Sequence, residues 1–292
     1  MYKKLKLFIF LVILISSCNT SNELKEYYSS GNLKRIDFVN SNNIDSTLIF
    51  YDEPYKTIKA KSVSRNGFEY FEEYYKNGKL FRKGKLSNSK QQYEKWYYYN
   101  PSGLLSDVRE YMVIKGKSVL NQIWYLDRIG DTIKTRSDEF NHYGEEFKDR
   151  MTFQKQSHFI KFQIPKDTIS MDEPFKAVIF HATPLSTYHN GFIKVYVDNE
   201  NTPFNDDFSN DKNIDLREFN SLIQDTANQK WYPNDTINYP YISIFGQFFD
   251  SVGKKALCGY MSEVINDTLK TGEIKQSSIN KIYFKLPVYV TN

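Results

Sequence analysis

The chain has 292 residues, with 39 Lys and Arg against 35 Asp and Glu, and only two cysteines. So even a balance gives no sign of a nucleic-acid partner, which a clustered basic excess would signal, and two cysteines cannot build a disulfide framework. A chain this long buries enough core without one, and its 16 % aromatic content, mostly Tyr and Phe in short alternating runs, predicts a mainly β protein.

Residues 1–17 read as an export signal. Lys3, Lys4 and Lys6 precede an unbroken apolar run over 7–15, which is too short for a permanent membrane helix. Ile15-Ser16-Ser17-Cys18 resembles the lipobox of bacterial lipoproteins. That resemblance implies an acylated Cys18, a lipidated linker over 18–25 and a membrane hold through two or more lipid chains. Removing three lysines with the signal brings the mature charge close to zero, so the basic pI carries no information about partners. Asn19-Thr20-Ser21-Asn22 lacks the acidic cluster that resembles a surface-export signal. The expected place is therefore the outer membrane of the cell envelope, facing the periplasm. Cys258 is left without a disulfide partner and is expected to be a buried structural thiol.

A repeated unit fills 26–154. Its clearest copy is Glu73-Tyr74-Tyr75-Lys76-Asn77-Gly78-Lys79-Leu80-Phe81-Arg82, and Glu26-Tyr27-Tyr28-Ser29-Ser30-Gly31-Asn32-Leu33-Lys34-Arg35 matches it. Weaker copies begin at Phe50, Trp96 and Trp124, and the turns fall about 23 to 27 residues apart, a period of stacked supersecondary units. Asn77-Gly78 predicts a two-residue type I′ hairpin. That turn places Tyr75 opposite Leu80, Tyr74 opposite Phe81 and Glu73 opposite Arg82. The same register sets Glu26 opposite Arg35.

The unit resembles the MORN-repeat variant family of bacterial envelope proteins, some of them antitoxin-like, and the Lys/Asn/Ile/Tyr usage resembles Bacteroidetes. The resemblance implies a meandering antiparallel sheet for binding or spacing, without chemistry. In a strand, each Tyr-Tyr pair sends one ring to each face. One aromatic ladder is then expected to be core, and the other either a second packed layer or an exposed strip for sugars, peptides or proteins. The candidate binding face is Tyr27, Tyr28, Tyr74, Tyr75, Tyr97, Tyr98, Trp96 and Trp124, with packing the competing role for each.

From residue 155 to 292 longer strands follow, over 158–164, 175–180, 191–197, 241–249, 256–265 and 279–290. Six or seven such strands predict an immunoglobulin-like β-sandwich, and Pro287 predicts an edge or bulged final strand. An insertion near 202–231 is expected to hold a short helix with Leu216, Phe219, Leu222 and Ile223 on one face. Before it, Asp207, Ser209, Asp211, Asp215 and Glu218 follow the oxygen spacing of a calcium loop, although Lys212 stands where the sharp turn needs Gly. The competing reading is a solvated acidic loop, with no metal or other cofactor.

Four histidines, 142, 158, 181 and 189, show no helical metal spacing, and no nucleophile elbow or phosphate loop appears. His181 and His189 bracket a turn and are the pair that a fold would most easily join. Asp-Thr-aliphatic triplets at Asp131, Asp167, Asp225, Asp235 and Asp267 resemble the O-glycosylation site of Bacteroidetes envelope proteins, and equally suit turn-to-strand junctions. Together these observations lead to the expectation of a lipid-anchored, non-enzymatic binding or scaffolding module whose partner is an envelope protein or glycan. Two alternatives stay open: an immunity or antitoxin-like protein with one protein partner, and an envelope hydrolase acting on cell wall or glycan.

Overall fold

The computed structural model describes residues 22–40, 43–133, 157–184, 191–232, 238–268 and 272–292. The export signal, Cys18, His142, His189 and the Asp235 triplet lie outside the described residues. Among the described residues the protein is mainly β, with 60 % strand and 4 % helix. No helix among the described residues is long and apolar enough to cross a membrane.

Nine strands pair in sequence order into an antiparallel sheet: β1 (Asn22–Tyr27), β2 (Leu33–Asn40), β3 (Asn43–Phe50), β4 (Ile58–Arg65), β5 (Phe68–Tyr74), β6 (Leu80–Leu86), β7 (Gln92–Tyr99), β8 (Leu105–Ile114) and β9 (Lys117–Tyr125). By compactness the chain divides into a first unit of residues 1–90 with 101–103, and a second of 91–100 with 104–292. Strands β1–β6 belong to the first unit and β7–β9 to the second.

In the first unit the repeats are hairpins, as the Tyr-Tyr spacing predicts, but their turns differ from the expected type. Tyr75 N–H donates to Lys79 O at 2.8 Å and Gly78 N–H to Tyr75 O at 2.9 Å, with Gly78 at φ 80°. Only Gly78, and not Asn77, takes positive φ, so the loop is three residues with a glycine bulge instead of a type I′ pair. Glu73 faces Arg82 as predicted, and their side chains pair at 2.7 Å, but Tyr74 faces Leu80 because the ladder shifts between Glu73 and Tyr74. Asn77 supplies a physical reason: its Oδ1 accepts from Lys79 N–H at 3.0 Å while its Nδ2 donates to Pro101 O at 3.1 Å. Both bonds come from the loop as built. The turn at Gly31 is of the same kind, and there Glu26 faces Arg35 and Tyr27 faces Leu33. The two-residue geometry occurs instead at Asn66-Gly67, both at positive φ, between the paired Arg65 and Phe68.

In the second unit two further sheets form. The smaller has the order β10 (Ile160–Gln163), β12 (Phe175–His181), β15 (Ile242–Gln247). The larger has the order β11 (Thr168–Ser170), β17 (Ile274–Thr291), β16 (Gly253–Thr268), β13 (Phe192–Val197), β14 (Arg217–Asn220), with β11 parallel to β17. Phe175, Ile179 and Phe245 of the smaller sheet share one core with Val195, Met261, Ile282 and Val288 of the larger. This is what alternating Ile, Val and Phe on one face of each strand produces. Pro287 faces Ala256, and β11 covers only Tyr289–Thr291, so β17 is an edge on that side at the proline.

The helix expected over Leu216, Phe219, Leu222 and Ile223 does not form. Arg217–Asn220 is a strand with Phe219 opposite Val195, and the helical part of the insertion is a 3-10 turn at Thr226–Trp231. The four side chains part company: Leu216 packs beside Phe208, Phe219 against the main core, Leu222 with Val178 and Ile242, and Ile223 stays exposed. Pairing with β13 overrides the helical period, as tertiary context commonly does. Cys258 is buried, as expected, and its thiol is pushed up to about 11 by burial and by the nearby Asp198 carboxylate. It is therefore an inert thiol at neutral pH.

Candidate functional site

The predicted aromatic face divides by burial. Trp96 and Tyr98 are buried, Tyr28, Tyr74, Tyr75, Tyr97 and Trp124 are half-buried, and Tyr27 is exposed. In the first unit neither ladder becomes a closed core. Its rings are instead covered by the stems of basic side chains: Lys76 lies 5.6 Å over Tyr51, Lys61 5.9 Å over Tyr74 and Arg82 6.0 Å over Phe71. Such stems shield apolar area while keeping the charge in water.

Two hydroxyls have a structural task that the sequence pattern did not reveal. Tyr28 donates to Phe50 O at 2.8 Å, and Tyr51 to Tyr74 O at 2.7 Å, each reaching the bulge of the next hairpin. The period of about 23 residues therefore spaces a repeated inter-hairpin bond. Burial first, then the hydrogen bond to Glu72, raises the Tyr74 hydroxyl. Burial opposes ionisation of Glu72 as well, yet Lys61 at 2.7 Å and Tyr74 hold its carboxyl below the usual range.

A concave feature of the first unit comes from small residues. Strand β4 places Ala60, Ser62 and Ser64 on one face. The register sets Thr47 and Phe71 on either side of Ser62, and Ile49 and Glu73 on either side of Ala60. Short side chains between longer ones leave a trough of about 220 Å³ lined by Arg35, Thr47, Ser62, Ser64, Glu69 and Phe71. Thr47 and Ser62 are buried. The charges around the trough are paired: Arg35 Nε donates to Asp37 at 2.8 Å, Thr47 Oγ1 to the same carboxylate at 2.5 Å, and Lys90 to Glu69. A polar, extended ligand finds hydroxyl donors and acceptors here and one aromatic face. The first unit has no histidine, so no imidazole is present to activate these hydroxyls.

The acidic loop of the second unit is tied to its neighbours. Asp207 Oδ1 accepts from Ser209 N–H at 3.1 Å, Asp211 pairs with Lys115 at 2.9 Å, and Glu218, on β14, pairs with Lys194 at 2.7 Å. Among the described residues no three His, Cys, Asp or Glu side chains converge as a metal would need.

His181 meets His158, with ring centroids 5.1 Å apart and edge to face. Its Nε2 lies 3.2 Å from Glu263 Oε2, and both side chains are fully buried, so no substrate reaches them. Asn280 contacts His158 Nε2. Burial and then His181 push His158 down to about 4, so it is neutral at physiological pH. The signal missed in the sequence was Glu263 itself: a carboxylate in the middle of the apolar run 256–265 needs a buried partner. Comparison of the chain with protein-family models and with curated proteins finds no match.

Proposed function

We propose that the chain is a lipid-anchored, non-enzymatic binding module of the bacterial cell envelope, attached through Cys18 to the outer membrane and facing the periplasm. Its first unit serves as a MORN-variant-like hairpin array that receives a segment of an envelope partner. The observation that carries this reading is the trough over Ser62 and Ser64, a depression of mixed polar and apolar lining with paired charges at its rim and the buried hydroxyls of Thr47 and Ser62 in its floor. The immunoglobulin-like assignment of the second unit is supported by the orders β10-β12-β15 and β11-β17-β16-β13-β14 and the parallel pairing of β11 with the last strand.

Two variants test the reading. Cys18→Ala is expected to abolish incorporation of a clickable palmitate analogue and release the protein from membranes; continued labelling removes the anchor. Ser62→Trp fills the trough on an otherwise unchanged sheet. It is expected to lose the partner that the native protein captures by cross-linking in intact cells, while far-ultraviolet circular dichroism stays the same. Equal capture by both proteins removes the trough as the binding surface.

A further inference from the structure

A second cavity, of about 390 Å³, opens in the second unit, away from the histidines and the acidic loop's ion pairs. Its size falls in the small-ligand range of roughly 300–1,000 Å³, but its lining is mostly polar where such pockets are usually apolar. Phe248 is the exception. It follows β15 directly, lines the cavity and is 59 % exposed as a residue.

The polar groups around it are held in place from below. Arg217 donates through Nη to Gln247 Oε1 and to Asp198 O, while its Nε meets no acceptor among the described residues. Both bonds come from one Nη and the Nε is buried, so the donors left for a ligand are those of the other Nη. Asp198 is itself buried and accepts from Phe204 N–H at 3.0 Å and Cys258 N–H at 3.2 Å, so the guanidinium rests on a fixed frame. Glu200 is fully engaged by Asp250 N–H at 2.5 Å, Ser251 Oγ at 3.1 Å and Lys255 Nζ at 2.7 Å, which pins the loop after Phe248. Asn199, Asn201, Thr202, Asp215 and Asp250 complete the lining.

These features select a ligand class. Charges of both signs face the space: Asp215 and Asp250 against Arg217, with Glu200 already neutralised by Lys255. A strongly charged ligand would gain from one part of such a wall and lose to the other. A neutral polyhydroxylated ring gains from both, because each hydroxyl donates to a carboxylate and accepts from a guanidinium. The C–H-rich face of such a ring also suits the electron-rich face of an exposed phenylalanine. We infer that this cavity is a site for a neutral pyranose, with Phe248 as the stacking platform and Asp215, Asp250 and Arg217 as the hydroxyl partners. The assignment does not rest on the trough of the first unit.

Saturation-transfer difference NMR on the full-length protein tests it, with glucose, galactose, mannose and N-acetylglucosamine as probes. At least one sugar is expected to give a saturable signal, strongest at ring C–H protons, with Kd on the order of 1 mM to 10 mM, as suits one stacked ring and a few hydrogen bonds. Phe248→Ala is expected to weaken it tenfold or more without moving the thermal transition, since the residue is exposed. Ser62→Trp is expected to leave it unchanged. The inference is overturned if none of the four sugars gives a signal, if the signal survives Phe248→Ala, or if it disappears in Ser62→Trp and not in Phe248→Ala.

Discussion

Strands β1–β6 and the paired sheets of the second unit stabilise themselves in different ways. Among the described residues of the first unit, burial is limited to Thr47, Phe50, Ala60 and Ser62, and both faces carry half-buried Tyr and Phe under Lys and Arg stems. The second unit instead closes Phe175, Ile179, Val195, Phe245, Met261 and Ile282 into a core with almost no exposure. Hydrophobic stabilisation scales with apolar area removed from water. The first unit must therefore depend more on cross-strand pairs, hydroxyl bonds between hairpins and turn geometry. A sheet of that kind keeps both faces available to a partner, which a two-sheet core cannot do.

The largest test of the contrast is truncation of matched aromatics. Phe175→Ala is expected to cost about 3–5 kcal/mol, as for other fully buried phenylalanines, whereas Phe71→Ala on the half-buried first-unit face should cost about 1–2 kcal/mol by area. All three tryptophans, Trp96, Trp124 and Trp231, lie in the second unit. Their fluorescence under urea reads that unit, and hydrogen exchange reads the first. Equal costs would mean that the first unit has a core of its own.

A second difference is pH dependence. His158 sits near 4 in the folded protein, below a free imidazole at about 6.5. The unfolded chain takes up that proton first, so the contribution to stability is complete above about pH 6.5 and falls as pH drops toward about 4. The second unit should lose stability across that window, and His158→Gln should flatten the loss. An unchanged slope in the variant would assign the acid sensitivity to carboxylates instead.

The smallest effect expected is local. Tyr51→Phe removes one hydroxyl and leaves the Tyr74 carbonyl without it, a loss of about 0.5–1.5 kcal/mol. Faster amide exchange around Gly78, without change in the second unit, is the expected outcome. No change in exchange would show that the inter-hairpin bond carries no stability.

Much of the strand pattern was legible in advance. Alternating Ile160, Phe162 and Ile164 gave β10 and its inward face, and the Tyr-Tyr-x-x-Gly spacing gave consecutive hairpins with Glu73 facing Arg82. Of the candidate sites less was legible. The rings named from the repeat are mainly half-buried packing groups, while the trough depends on Ser62 and Ser64, residues conspicuous only for being small. Asp215 was read as part of a calcium loop, yet it lines a cavity with Phe248 and Arg217 that no local pattern joins.

What the sequence determined by itself was set by side-chain period and by residues acting within a few positions of themselves: strand, hairpin and the buried face of each strand. The tertiary structure decided the rest. Asn77-Gly78 and Asn66-Gly67 are the same dipeptide in two turn types, and the first is braced by Pro101 of another turn. Leu216, Phe219 and Leu222 have helical spacing but join three different clusters, since β13 offers backbone partners that a lone helix lacks. His158, His181 and Glu263 are brought together from distant parts of the chain because a buried carboxylate requires hydrogen-bonding partners, wherever in the chain they lie.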